Sequence, residues 1–299
     1  MGANDNAMQR TWSALSQAPL ILRRIASNLY LWIAVLFRKP RAKARPIGVR
    51  SLAVLGGAIV LIVASMFLLD AAASEWARQL PHWVAVTGDE ISNFALGSRF
   101  SYPLGLFILL LAALTRPSLP LSARGVLEVF AARAGFLFIA IGLPGLFDTV
   151  VKRLIGRARP YVGAHDDPFA YMPFIWRPDY ASMPSGHSTT AAAAAIAIGA
   201  IWPQARPIVW LYALIIMSAR VLMNVHHPSD VIAGALVGTV GALMVRRWFA
   251  MRRLVFSPRD LRPFPGPSWP RVKAAVRSVA NCHAADFARP EVKARSIDD

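Results

Sequence analysis

The chain has 299 residues, of which 56% are apolar and only 16% charged, and its mean hydropathy is +0.44. That balance excludes an ordinary soluble domain and points to a membrane protein. The formal net charge of +17 would suit a nucleic-acid binder, but 21 of the 33 Lys and Arg lie in the two tails, nine in residues 1–50 and twelve in 246–299. Such a distribution is a topology signal, and no nucleic-acid partner is expected.

In chain order, "NLYLWIAVLF" (28–37) is too short to cross the bilayer, and Arg23 and Arg24 just before it are costly in lipid, so an interfacial helix is predicted there. The run "RKPRAKARPIGVR" (38–50) marks the cytoplasmic side of the first span. A helix needs about 20 largely apolar residues to cross a hydrocarbon layer of ~30 Å. Six stretches qualify, some with help from flanking residues: 51–69, 102–115 with a start upstream near Ile91, 126–146, 188–202, 208–223 and 231–245. The predicted fold is therefore all-α, a polytopic helical bundle with about six transmembrane helices. Residues 1–50 form a basic cytoplasmic segment, 51–250 the membrane domain and 251–299 a basic tail, its "SPRDLRPFPGPSWP" (257–270) extended or flexible. Cys282 is the only cysteine, which excludes an intramolecular disulfide and a cysteine metal cluster.

An even number of spans puts both tails on one side, and the positive-inside rule makes that side cytoplasmic. The inner loops then carry Arg116, Arg124 and Arg206 without an acid, while the outer residues 71–100 carry Glu75, Asp89 and Glu90 against Arg78 and Arg99.

With this topology three polar clusters fall on the outer face: "KRLIGRARP" (152–160), "PSGH" (184–187) and "SARVLMNVHHPSD" (218–230). Their convergence implies one site at the membrane boundary. Lys152, Arg159 and Arg220 need an anion, and a phosphate suits guanidinium forks supplemented by a mobile ammonium. Arg153 and Arg157 are assigned to flanking the membrane. Asp148, four residues before Lys152, is placed to pair with it on a helix. Ser185, Gly186 and His187 open an Ala-rich helix whose unpaired N–H groups and dipole favour negative charge. Pro228 suits a first helical turn, with His226 and His227 just outside it and Asp230 within. A carboxylate beside an imidazole fixes its tautomer and frees the other nitrogen to attack, but spacing alone does not choose between the two histidines. His82, His165 and His283 lack partners at useful spacing and are read as solvated loop residues.

These residues resemble the three-part signature of the type 2 phosphatidic acid phosphatase family, whose superfamily includes bacterial acid phosphatases and vanadium haloperoxidases. The parts read Lys152 to Arg159-Pro160, Pro184 to His187, and Arg220, His226 and Asp230. One departure is visible: Ala219 stands before Arg220 where the family has serine. The resemblance covers roughly residues 50–250. It implies that Lys152, Arg159 and Arg220 grip phosphoryl oxygens, that Ser185 and Gly186 complete the cradle, and that His226, held by Asp230, forms a phosphohistidine. His187 then protonates the leaving group and water releases phosphate. No metal or other cofactor is implied. Because the acid His187 and the nucleophile His226 need different protonation states, a bell-shaped pH profile is expected.

A boundary site suits a lipid whose tails stay in the bilayer, so the expected substrate is a lipid phosphate: undecaprenyl diphosphate, phosphatidylglycerol phosphate, phosphatidic acid or a lipid A phosphate. The expected location, by resemblance, is a bacterial inner membrane with the site facing outward. The aromatics of 161–182 either select the lipid or belong to an interface belt. Alternatives are a lipid-to-lipid phosphotransferase, a vanadium haloperoxidase, and a non-catalytic anion-binding membrane protein or transporter. Arg133 and Glu128 within the third span are the one hint of the transporter.

Overall fold

The computed structural model describes residues 2–42, 48–94, 96–162 and 167–288; His165 and part of the basic run at 38–50 lie outside them. The fold is all-α, and among the described residues only two isolated bridges, Arg157 with Tyr171 and Phe256 with Pro263, pair extended backbone. Among the described residues ten α-helices run α1 (Gly2–Phe37), α2 (Val49–Leu68), α3 (Asp70–Arg78), α4 (His82–Asn93), α5 (Gly97–Leu114), α6 (Leu121–Ile155), α7 (Gly186–Ile201), α8 (Arg206–Leu222), α9 (Pro228–Met251) and α10 (Trp269–Ala288).

Six stretches are long and apolar enough to cross a membrane: Pro19–Phe37, Val49–Leu68, His82–Leu114, Leu121–Ile155, Pro203–Leu222 and Pro228–Met251. The number agrees with the sequence reading but the membership does not. The decapeptide judged too short is the end of a 36-residue helix, α1, so length no longer argues against a crossing. Conversely α7 has only 16 residues. The expected helix start near Ile91 is also revised, since α4 ends at Asn93 and α5 begins at Gly97.

The chain forms two compact units. The first comprises residues 1–37, 107–132 and 265–299. Its core is Leu111, Leu119, Leu127 and Ala131, packed by Trp32, Phe130, Val279 and Cys282. Asn28 Nδ2 donates to the Ala112 and Thr115 carbonyls, both at 2.8 Å, and Arg24 Nη1 donates to Ala113 O at 3.2 Å. These are orphan carbonyls at the C-terminal end of α5, so Arg24, judged costly in lipid, has a structural partner. Cys282 and His283 lie on α10, not in a loop or loose tail.

The second unit, residues 38–106 and 133–264, holds the three motif clusters. At its centre α7 packs against α9 and α8, and α9 also against α2. Ala191 to Ala195 are each no more than 1% exposed. A Cβ on Gly238 would stand 2.2 Å from the Thr189 carbonyl, so the backbones meet where only hydrogen fits. The small residues of "STTAAAAAIAIGA" thus serve close packing.

The run expected to be extended or flexible, 257–270, is irregular backbone up to Ser268, and its first part is held in place rather than loose. Phe256 is fully buried against Phe136, ring centroids 4.8 Å apart, with the Arg246 guanidinium 5.4 Å from its ring centroid. Arg133 Nη2 donates to Phe264 O at 2.8 Å and Arg246 Nη2 to Leu261 O. Arg133, half of the one hint of a transporter, therefore helps to hold a folded segment.

Candidate active site

Four helix ends and one loop build the site. At the end of α6, Lys152 Nζ lies 2.7 Å from Asp148 Oδ2, the expected i,i+4 pair. Asp148 is 1% exposed and accepts a hydrogen bond from Thr189 Oγ1 at 3.2 Å, which ties α6 to the first turn of α7. Lys152 Nζ and Asp148 Oδ2 stand 3.0 and 3.1 Å from where a Cβ on Gly186 would be, so the ammonium rests against the N-terminus of α7.

Gly156 ends α6 in the left-handed conformation, φ +63°, with its N–H bonded to Lys152 O at 3.0 Å. Met172 N–H donates to Gly156 O at 2.7 Å, so the loop folds back on the helix end. The reversal sends Arg157 inward and Arg159 toward the site. Arg159 is braced by the Asp179 carbonyl on its N–H, 2.8 Å, and the Pro178 carbonyl on Nε, 3.1 Å.

Ser185 is the N-cap of α7, with extended backbone and no side-chain capping bond. Its N–H donates to the Asp230 carbonyl at 3.0 Å, joining the starts of α7 and α9, and its hydroxyl accepts from Ser188 Oγ at 3.1 Å. The free N–H groups of α7's first turn therefore open beside Lys152.

Arg220, 6% exposed at the end of α8, donates from Nη1 to Ser92 Oγ of α4 at 2.8 Å. Its charge reaches His187 and His226, as does that of Arg159, and Lys152 also acts on His187. The eight residues expected at the site thus gather at one end of α6, α7, α8 and α9.

The two histidines part ways. His226 is 3% exposed and its Nδ1 lies 3.7 Å from Asp230 Oδ2, close but beyond hydrogen-bond length. Burial pushes this imidazole down to about 4, with Asp230 offsetting part of the effect and Arg159 and Arg220 adding to it. His227 caps α9: its N–H donates to Asp230 Oδ2 at 2.9 Å, and its Nδ1 meets Ser74 Oγ at 3.1 Å. Its ring is 1% exposed and belongs to packing.

Arg157 overturns its assignment as a membrane-flanking residue. It is fully buried, its Nη1 2.6 Å from both Asp230 Oδ1 and Ser229 Oγ and its Nη2 2.7 Å from Asp70 Oδ2. Ser182 Oγ adds a bond of 2.5 Å to Asp230 Oδ2. Asp70, Ser74, Ser92, Ser182 and Ser229 were not singled out from the sequence. The available signals were an acid at the very end of a span, for Asp70, and an arginine between two cluster cations, for Arg157. Arg153 is nearer its assignment, with Nη1 on the Arg177 carbonyl at 3.0 Å and its guanidinium 5.7 Å from the Trp176 ring centroid. Of the loop aromatics, Phe169 packs on Phe67 at the end of α2, centroids 5.0 Å apart, while Phe174 and Trp176 are exposed.

The second unit is a helical membrane core with cations and imidazoles collected at its helix ends, and comparison with known proteins narrows its class. The family model for the PAP2 superfamily matches residues 133–254. The lipid A 1-phosphatase of Rhizobium johnstonii is 35% identical over 144 residues, 48% of this chain and 57% of that protein. The decaprenylphosphoryl-5-phosphoribose phosphatase of Mycobacterium tuberculosis is 36% identical over 137 residues, 46% of this chain and 68% of that one. A solved PAP2-type phosphatidylglycerolphosphate phosphatase from Bacillus subtilis is 20% identical with a TM-score of 0.45, over 65% of this chain and 93% of that one. The chain belongs to the PAP2 superfamily. Its match spans little more than half the length of the Rhizobium relatives.

Proposed function

We propose that this protein is an integral membrane lipid phosphatase that removes a phosphate, as monoester or terminal diphosphate, from a lipid through a phosphohistidine. The observation that carries this reading is the gathering of Lys152, Arg159, Arg220 and the N-terminus of α7 around two imidazoles, His187 of α7 and His226 of the α8–α9 loop. Phosphoryl transfer gains most from positioning and fixed positive charge around the equatorial oxygens, and this cradle supplies both.

In the proposed mechanism the cations and the α7 N–H groups, with the Ser185 hydroxyl, hold the phosphoryl oxygens. Neutral His226, its Nδ1 toward Asp230, attacks phosphorus through Nε2 as the P–O bond to the lipid breaks, and His187 gives its proton to the departing oxygen. His187 then takes a proton from water, whose oxygen displaces the His226 nitrogen, and inorganic phosphate leaves. The buried Asp230 carboxylate stabilises the cationic ring of the intermediate.

The site's position at helix ends supports a lipid substrate, and so do the names of the relatives, which act on lipid A and on decaprenylphosphoryl-5-phosphoribose. We place the site on the outer face of a bacterial inner membrane and the C-terminal tail in the cytoplasm, in keeping with the basic residues after α9, whose opposite end carries the site. The test is phosphate release by purified protein from phosphatidic acid, phosphatidylglycerol phosphate, undecaprenyl diphosphate and lipid A, alongside His226→Ala. Release from at least one lipid, abolished in the variant, is the expected result. A folded wild-type protein inactive on all four overturns the reading.

A further inference from the structure

The best-defined polar cluster in the second unit is one the phosphate cradle does not use. Asp70 and Asp230 are fully buried and share one equally buried guanidinium, that of Arg157. Asp70 Oδ1 accepts the Ser229 N–H at 3.0 Å, an orphan donor of α9's first turn, while the Ser229 hydroxyl donates to Oδ2. Arg157 Nε is spent on the Pro168 carbonyl at 2.9 Å. Asp230 is divided between its oxygens: Oδ1 takes Arg157, whereas Oδ2 takes Ser182 Oγ and the His227 N–H and is the one that looks at His226.

Two carboxylates and one guanidinium, all fully buried, leave one surplus negative charge. A cluster selected only to join helices would balance its charges, since an uncompensated buried charge is expensive. The surplus is useful if the neighbouring ring becomes cationic, as a phosphorylated imidazole carrying Nδ1–H does.

We propose that Arg157 and Asp70 are positioning residues that act through Asp230: Arg157 clamps Oδ1 so that Oδ2 faces His226, and Asp70 draws part of the guanidinium charge away so that the carboxylate's field reaches the ring. The inference rests on His226 as nucleophile. Asp70 lies outside the stretch that matches the family model, residues 133–254, so this control belongs to the longer chain.

The two residues then have opposite electrostatic effects on one imidazole. Loss of the Arg157 charge leaves Asp230 stronger and raises the His226 titration; loss of the Asp70 charge commits Arg157 to Asp230 and lowers it. The other groups facing His226 are Arg220 from α8, Arg159 from the loop after α6 and His187 from α7, and these stay constant.

The test is the titration of 13C-labelled histidines by NMR in the full chain in detergent micelles, the His226 signal being assigned by its loss in His226→Gln. Arg157→Gln is expected to move the midpoint up by about one unit and Asp70→Asn to move it down by a similar amount. Both are expected to lower kcat about tenfold or more with little change in KM. Arg157→Lys retains charge but not the fork, so it restores the midpoint without restoring kcat. If Arg157→Gln fails to fold, Asp70→Asn and Arg157→Lys carry the comparison, with helicity as the control. Midpoints that stay put, or that move in the same direction in Arg157→Gln and Asp70→Asn, overturn the proposal. The titration needs no turnover, so an inactive wild type counts against the phosphatase reading and leaves this result readable.

Discussion

Arg220 Nη1 donates to Ser92 Oγ at 2.8 Å, which fastens a cradle cation at the end of α8 to α4, a helix outside the family-matched stretch. Where the family has a serine before this arginine, the chain has Ala219, and Ser92 brings a hydroxyl to Arg220 from elsewhere in the sequence. Ser92→Ala removes one hydrogen bond to a charged group, worth about 1.5–3 kcal/mol in favourable cases. A rise of about tenfold in KM with a smaller change in kcat is expected in steady-state assays on lipid phosphate. Arg220→Ala should cost far more, in kcat as well.

The histidine pair gives a second contrast. His226→Gln is expected to lower kcat by more than about a thousandfold, because the proposed nucleophile is gone. His227→Gln removes a ring held by Ser74 in the α9 cap, so it should lower the midpoint of thermal unfolding while leaving most activity. Phosphate release and melting of the two variants, measured in parallel, check the assignment; equal loss of activity would refute it.

Burial holds the His226 imidazole at about 4, below its ordinary 6.5. The proposed nucleophile is therefore neutral at any pH above about 4, and kcat/KM, corrected for titration of the substrate phosphate, should hold to about pH 5 before it falls on the acid side. Folding is linked to the same proton. Between about 6.5 and 4 the unfolded chain binds a proton that the folded chain refuses, so stability is complete above that window and declines as pH falls through it. Melting curves at pH 7 and 4.5 should show the drop, and His226→Gln should reduce it.

Gly156 cannot accept a side chain: at φ +63° a Cβ would stand 1.8 Å from the Met172 carbonyl. Gly156→Ala is expected to destabilise by about 2 kcal/mol or more, since the loop must move with the turn. Because the turn also aims Arg157 and Arg159, activity should fall further than stability explains, which thermal unfolding and phosphate release at a common temperature will show.

The helix ends that carry Lys152, Ser185, Arg220 and His226 were legible because each polar motif interrupts an apolar run, and a run's end fixes which face of the membrane domain the motif meets. The full length of α1 was not read because its first half is too polar to announce that the apolar helix of 28–37 begins far upstream. The segment from Val255 to Phe264 reads as loose from its prolines, yet a single buried ring, Phe256, anchors it, and nothing local reveals what that ring meets. Arg157 fails for a related reason. A cation beside the end of a span has the same appearance whether it reaches for water or for a carboxylate 87 positions away. The phosphate-facing residues lay in compact motifs; the residues that steady them came from α3, α4 and the loop before α7, where position and not pattern decides the role.

At 1.5 Å per residue the 16 residues of α7 rise about 24 Å, some 6 Å less than the hydrocarbon layer that its neighbours traverse. The helix proposed to present its N–H groups to the anion is thus eight residues shorter than α9 and one shorter than α8, the two helices it packs on. On the proposed reading, an acyl-anchored substrate brings its headgroup to that helix end while its chains stay in the bilayer.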